Sequence, residues 1–181
     1  MKKIICLFVF ICFQYNISAQ EKIEGELIPD YGATFKIIDP DFKTDTAATF
    51  KVVFDVDRSF DPTQPNILIE TAARFLNMHY EAGVPVENMQ IALVVHGNAV
   101  KDLLKSSYYV KSLDKKEVTE NPNILLLKAL ANQNVEIIIC GQSAAHHKVL
   151  KNQVQEDVQF ALSAMTALVQ LQNKNYQLIK F

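Results

Sequence analysis

Short, largely apolar runs recur along this chain and are separated by stretches with helical periodicity. Three of these runs, Phe50–Val56, Met89–Val95 and Val135–Ile139, are rich in valine and isoleucine. Strands with near-continuous apolar runs are covered on both faces, which is typical of parallel sheets. Strands that alternate with helices form βαβ units. The pattern therefore predicts an α/β fold, with a mainly parallel sheet that carries helices on both faces.

Apolar residues at helical spacing locate the helices of this fold. Four helices are expected, followed by a closing strand: residues 66–80, 99–104, 124–131 and 156–172, then 176–181. The helix expected over 156–172 is apolar around much of its circumference, which indicates a deep position or contact with a partner subunit. Asn134 and Asn175 stand where the chain must reverse, and asparagine tolerates the left-handed backbone that this requires.

The first 19 residues have the order of regions that marks a secretory signal peptide. Two lysines precede the apolar run Ile4–Phe13, and a short polar stretch leads to Ala19, after which we expect cleavage. The apolar run is too short to span a bilayer, which takes about 20 residues. We therefore predict an exported, periplasmic protein, with an irregular lead-in arm over residues 20–49 and a single domain over residues 50–181.

Composition limits the partners that the mature chain can have. The net charge is −2, and removal of Lys2 and Lys3 with the signal peptide lowers it to −4. This mild acidity, without any run of basic residues, argues against nucleic acid. No second long apolar run follows, so no membrane attachment is expected. The sequence also has no glycine-rich phosphate loop and no serine nucleophile elbow, and it predicts no cofactor.

Cysteine use draws attention to one position. Cys6 and Cys12 lie in the predicted signal peptide, so Cys140 is the only cysteine expected in the mature chain. An acylated Cys12 would need small residues before it, where this chain has Phe10 and Ile11. An unpaired thiol in an exported protein is a buried core residue, an intermolecular partner or a reactive group.

Cys140 and His96 each follow a predicted strand. Sites in open parallel sheets form outside the carboxyl ends of the strands. If the two strands are neighbours, these ends lie about 5 Å apart and share one crevice. Backbone N–H groups after Cys140, together with His146 and His147, would then favour its thiolate. A buried structural cysteine and a His96 that caps its strand fit the same pattern, and no carboxylate spacing indicates a metal site.

Three segments resemble the DsrE/DsrF-like family: Ile91–Leu104, Asn121–His147 and Ala161–Phe181. The most specific likeness lies in the sequence CGQS, at Cys140–Ser143, and in VVHG, at Val94–Gly97. The resemblance implies a parallel, five-stranded α/β/α sandwich that forms a homo-oligomer, a trimer or a multiple of one. In the sulfur-relay members, a cysteine in this region accepts sulfur as a persulfide. The resemblance gives that role to Cys140.

Two hypotheses of function follow. The first is an exported sulfur carrier, in which Cys140 is the reactive thiol, His96 polarises it, and a donor or acceptor protein exchanges sulfur with it. The second is a non-catalytic, oligomeric module that binds a small ligand or an interaction partner. In both, the ligand site is expected to include the residues that flank these two: Gly97, Gly141, Gln142 and Ser143.

Overall fold

The structure, a computed structural model, describes residues 22–113 and 117–181, so the predicted signal peptide lies outside it. The strands in this part of the chain are β1 (Lys22–Ile23), β2 (Thr34–Phe35), β3 (Phe50–Val56), β4 (Met89–Val95), β5 (Glu136–Cys140), β6 (Val158–Ala161) and β7 (Gln177–Ile179). The α-helices are α1 (Ile67–Glu81), α2 (Ser106–Ser112), α3 (Ile124–Asn132), α4 (Gly141–His146) and α5 (Ala164–Asn173). Short 3₁₀ helices span Val86–Asn88, Gly97–Leu103 and Lys151–Gln153.

A five-stranded sheet in the order β6–β5–β4–β3–β7 forms the centre of the domain. All of its neighbouring strands are parallel. β4 lies between β3 and β5, so the carboxyl ends of these three long strands meet at one edge. The predicted α/β fold with a five-stranded parallel sheet is confirmed.

Two apolar cores lie on the two faces of the sheet. On β5, Ile137 and Ile139 face the core formed with α1 and α3. Ile138 and Cys140 face the opposite core, which α5 covers with Ala167 and other apolar residues. Because side chains alternate along a strand, each β-branched run fills both cores at once. The domain is therefore a sandwich of three layers, as predicted.

The arm before the sheet is irregular except where β1 and β2 pair antiparallel. Asn77, a fully buried residue of α1, fixes the arm to the domain. Its Oδ1 accepts the backbone N–H of Ile28 at 3.0 Å, and its Nδ2 donates to the carbonyls of Ile28 and Tyr31 at 3.1 and 2.9 Å. These hydrogen bonds satisfy backbone groups of the arm that are not paired between β1 and β2.

The long helix predicted over residues 156–172 is wrong in its first part. Val158–Ala161 form the edge strand β6, and α5 begins only after Ser163. The Ser163 hydroxyl caps this helix by accepting the Thr166 N–H at 3.0 Å. Serine is a preferred residue at a helix start, so Ser163 could have indicated that the helix begins there and not at residue 156. The apolar residues before it pack as a strand, not as a helix.

Two further helices lie in segments where the sequence predicted none. The connection after residue 105 contains α2, because Tyr109 is buried and packs against the core formed with α1 and α3. The segment after Cys140 is the short helix α4. Asn134 and Asn175 have the left-handed backbone that was predicted, with φ of 58° and 68°. Within the described residues, no helix is long and apolar enough to cross a membrane.

Candidate functional site

Cys140 is the last residue of β5 and directly precedes α4. Its side chain is 4% exposed and packs in the α5-side core with Val94 and Ile138. The sulfur is not surrounded by apolar atoms alone, because it accepts the backbone N–H of Ser143 at 3.5 Å. The thiol therefore lies between an aliphatic core and the polar start of the next segment.

Several donors converge on this sulfur. Burial raises the pKa of the Cys140 thiol, because a buried site disfavours the charged form. Hydrogen bonds from the Ser143 hydroxyl and from the backbone N–H groups of Ser143, Ala164 and Gln142 oppose this effect. Together they lower the pKa of Cys140 below that of an ordinary thiol. The environment therefore favours the thiolate, although little of the side chain is exposed.

Ser143 connects Cys140 with the turn that follows β4. Its Oγ accepts the backbone N–H of Gly97 at 3.0 Å, and its side-chain hydrogen bonding lowers the pKa of the Cys140 thiol. Gln142 lies beside them, where its Nε2 donates to the carbonyl of Leu162 at 3.3 Å. The structure thus brings the turn after β4 and the CGQS segment together at one corner of the sheet.

His96 pairs with a carboxylate that the sequence did not single out. Its Nε2 lies 2.6 Å from Oδ1 of Asp55, a residue of β3 that is 9% exposed. The His96 backbone N–H donates to the carbonyl of Val56 at 2.8 Å, which continues the pairing of β4 with β3. In a neutral imidazole, a carboxylate at Nε2 favours the tautomer with its proton on that nitrogen, and Nδ1 is then the acceptor.

Lys180 joins this pair to a second carboxylate. Its Nζ lies 2.6 Å from Oδ2 of Asp55 and 3.0 Å from Oδ2 of Asp57, and these hydrogen bonds raise the pKa of Lys180. Burial raises the pKa of Asp57, but the hydrogen bond and charge of Lys180, together with the charges of Arg58 and His96, outweigh it, so this pKa is lowered. Asp55, Asp57, His96 and Lys180 form a charged network at the carboxyl edge of the sheet.

The strand register places His96 next to Cys140. Val95 of β4 pairs with Ile139 of β5, and His96 and Cys140 are the residues that follow them. The backbone of His96 is extended, with φ of −146° and ψ of −171°, so its side chain continues the alternation towards the face that α5 covers. The prediction that the two residues share one sheet edge is confirmed. In the described residues their hydrogen bonds go elsewhere, to Asp55 and Ser143.

The adjacent histidines end the segment that begins at Cys140. The rings of His146 and His147 meet edge to face, with centroids 4.9 Å apart. Burial lowers the pKa of His147, and the charges of Lys101 and His146 lower it further. A neutral His147 contributes less positive potential near Cys140 than the sequence indicated. Hydrogen-bond donors are therefore the main cause of the lowered thiol pKa.

A model of the DsrE/DsrF-like family matches residues 51–181. The chain belongs to the DsrE/DsrF-like family. The match includes the whole corner formed by Cys140, Ser143, Gly97 and His96, and it confirms the resemblance drawn from the sequence. A search of curated proteins found no match.

Two solved structures share the fold of this DsrE/DsrF-like protein. One is the structure of MTH1491, a protein of unknown function from Methanobacterium thermoautotrophicum, with 17% sequence identity and a TM-score of 0.52. The other is the crystal structure of the ychN protein from E. coli, with 15% identity and a TM-score of 0.52. Each likeness covers 73% of this chain and 99% of the other chain. At these identities they show a common fold.

The DsrE/DsrF-like domain also places residues at this corner that sequence reasoning missed. Asp55 stands inside a strand, on a face that α5 covers, and a buried carboxylate there needs a partner. An aspartate at this position of the sequence could therefore have indicated a paired carboxylate. Lys180 gave no such sign, because its place depends on β7 pairing with β3. The N–H of Ala164 reaches the sulfur only because β6 and α5 are separate elements.

Proposed function

We propose that this protein is an exported sulfur carrier that holds sulfane sulfur as a persulfide on Cys140. Membership of the DsrE/DsrF-like family supports a function of the sulfur-relay type. The observation that carries the assignment to Cys140 is its place at the start of α4, where its sulfur accepts the Ser143 N–H at 3.5 Å; further hydrogen bonds lower the pKa of its thiol. A thiolate is the form of cysteine that acts as a nucleophile, and these donors favour it.

The proposed reaction transfers the outer sulfur of a persulfide from one thiol to another, and it needs no oxidant. The Cys140 thiolate attacks the outer sulfur of a donor persulfide, and a new S–S bond forms. The S–S bond of the donor breaks, and its electron pair leaves on the donor thiolate. For delivery, an acceptor thiolate attacks the outer sulfur of the Cys140 persulfide, and Cys140 leaves as a thiolate. His96, held by Asp55, takes the proton of the acceptor thiol at Nδ1.

The same donors serve both directions of this exchange. A thiol of lowered pKa has a larger thiolate fraction for attack, and it is also the better leaving group. The Ser143 hydroxyl and the N–H of Ala164 stabilise the charge that returns to Cys140 when sulfur is delivered. The proposal therefore predicts a carrier that is loaded and unloaded near neutral pH.

Intact-mass measurement of the exported protein tests this proposal. The mature chain is expected to begin at Gln20, after removal of the signal peptide. After incubation with glutathione persulfide, it should gain the mass of one sulfur atom, and a reducing agent should remove it. The Cys140→Ser variant should gain none. A gain that persists in this variant, or a wild-type protein that gains nothing, would contradict the proposal.

The carrier is further proposed to be a homo-oligomer, a trimer or a multiple of one. Leu162, Met165 and Val169 are 73%, 75% and 56% exposed beside the strand that pairs with Cys140. Exposed apolar side chains that lie together mark interaction surfaces. We expect light scattering to give the mass of an oligomer, and Met165→Lys to shift it towards the monomer. A monomeric wild-type mass over a wide range of concentration would refute this expectation.

One observation favours the second function, a module that binds without catalysis. Cys140 is 4% exposed, which leaves little of its sulfur open to a macromolecular donor. Free cysteine often behaves as a small apolar residue in a core. In that case the thiol would react with an alkylating agent only after the protein unfolds, a result that excludes the carrier.

A further inference from the structure

A cavity of about 250 Å³ lies away from Cys140, beside α1 and α2. Its lining comes from the loop after β3, from the 3₁₀ helix Gly97–Leu103 and from α2. Val100, Leu103 and Tyr109 of these elements belong to the core on the α1 and α3 face, whereas Cys140 belongs to the α5 face. The cavity is therefore separate from the proposed sulfur site.

A buried carboxylate is the dominant polar group of this cavity. Asp102 is 3% exposed, and its Oδ2 accepts hydrogen bonds from Ser59 Oγ at 2.9 Å and from Asn66 Nδ2 at 2.7 Å. Burial raises the pKa of Asp102, and these hydrogen bonds and the charge of Lys101 only partly offset the rise. Among the described residues, this buried carboxylate has two neutral donors and no positive partner in direct contact.

The structure holds this carboxylate in one orientation. Asn66, itself 2% exposed, caps α1 by accepting the Leu68 N–H at 2.9 Å. Its Nδ2 also donates to the carbonyl of Arg58 at 2.8 Å, and its backbone N–H donates to Asn123 Oδ1 at 2.7 Å. Because every polar group of Asn66 is bound, Asn66 cannot turn away from Asp102. The acceptor is fixed before any ligand arrives, which reduces the cost of binding.

The walls around this carboxylate are apolar over the larger part of their area, and two side chains of opposite charge, Lys101 and Asp61, also line the cavity. Phe60, Leu113 and the ring of Tyr109 line the cavity together with Asp102. The Tyr109 hydroxyl donates to the carbonyl of Pro62 at 3.2 Å, and burial followed by the charges of Asp102 and Asp61 raises its pKa to about 12. Tyr109 is therefore neutral near pH 7 and contributes mostly its ring. An aromatic wall next to a carboxylate suits a cation that carries an apolar group.

We infer that this cavity binds a small primary amine as its ammonium ion, with Asp102 as the anionic anchor and Phe60 and Tyr109 against the apolar part of the ligand. A metal ion is a poorer fit, because the described residues contain no group of three or more histidine, cysteine, aspartate or glutamate side chains that could hold one. An organic ammonium needs only one charged acceptor and an apolar wall.

Three probes of nearly equal shape test this inference on the mature protein: 2-phenylethylamine, 2-phenylethanol and phenylacetate. Calorimetric titration at neutral pH should give a Kd for the amine about tenfold lower than for the alcohol, the factor expected for a charge-assisted hydrogen bond. Phenylacetate should bind more weakly than both. Amide signals of Ser59 and Lys101 should shift during the titration, whereas that of Cys140 should not.

The Asp102→Asn variant removes the charge and keeps an oxygen that can accept from Ser59 and Asn66. In this variant the amine should lose its advantage over the alcohol. If wild-type protein binds the alcohol or phenylacetate as tightly as the amine, the inference is wrong, and no variant is needed to decide. An amine preference that survives in Asp102→Asn would equally overturn it. Sulfur loading of Cys140 should be unchanged in Asp102→Asn, which separates this site from the proposed carrier function.

Discussion

Replacing Gly97 with alanine is expected to lower the free energy of unfolding by about 3 kcal/mol. Gly97 has φ of +56°, and a Cβ there would lie 2.3 Å from the carbonyl oxygen of Asp57. The left-handed conformation costs an alanine about 1–2 kcal/mol, and the clash with a backbone atom adds a similar amount. The turn that would shift carries the N–H bound to Ser143, so the corner around Cys140 should loosen as well.

The matched control is Gly83→Ala. Gly83 also has a positive φ, +93°, but its added Cβ would meet only the Thr46 side chain, at an ordinary 3.6 Å. This variant should lose about 1–2 kcal/mol, which is the conformational cost without a backbone clash. Denaturant unfolding measures both losses, and in thermal unfolding Gly97→Ala should lower Tm by roughly 10 °C. Equal losses in the two variants would show that the contact with Asp57 contributes nothing.

These contacts also explain two residues that the sequence placed in a ligand site. A Cβ on Gly141 would lie 2.5 Å from the carbonyl oxygen of Ala161, so β6 could not approach the end of β5 so closely. Gly97 and Gly141 are thus required by close backbone packing on either side of Cys140. Their contribution to any ligand contact stays a prediction.

The fold was largely predictable because its three central strands are long and apolar on both faces. β3, β4 and β5 were placed within one residue of their bounds, since few other structures can bury such runs. β6 was missed because its apolar residues lead with little interruption into those of α5, so the segment was predicted as one helix that is apolar around much of its circumference. Four residues are too few to separate the two periods, and the pairing with β5 decides the outcome.

The candidate site was predictable only in part. Cys140 ends β5 and His96 follows β4, so the parallel register alone brings them together. The partners that set their chemistry come from distant segments of the chain: Asp55 binds His96, and Ala164 reaches the sulfur of Cys140. The Asp102 cavity was not predicted from the sequence. It depends on α2, a helix that the sequence did not predict.

The second large effect concerns the thiol of Cys140. Its alkylation rate should rise with pH along a curve whose midpoint lies below the free-thiol value of about 8.5. In Ser143→Ala, one donor to the sulfur is lost, so the midpoint should move to higher pH. The rate below the midpoint should fall about tenfold, which corresponds to one hydrogen bond to a charged group. The backbone donors of Ser143, Ala164 and Gln142 remain.

Gln142→Ala is the matched control. The Gln142 side chain donates to the carbonyl of Leu162, and only its backbone N–H, which alanine keeps, acts on the sulfur. Its alkylation curve should therefore coincide with that of the wild-type protein. A shift as large as that of Ser143→Ala would mean that general loosening of this corner, and not the hydroxyl donor, sets the thiol pKa.

The lowered thiol pKa should also appear in stability. Between the folded and unfolded pKa values of Cys140, the unfolded chain binds more protons, so the free energy of unfolding rises with pH. This contribution is complete above the unfolded value of about 8.5 and is lost as pH falls through the folded value. Cys140→Ser should lack this part of the pH dependence. Two results would together identify Cys140 as core packing and leave the binding module as the function. The thiol would stay inert to alkylation until the protein unfolds, and the free energy of unfolding would depend on pH in the same way in the wild-type protein and in Cys140→Ser.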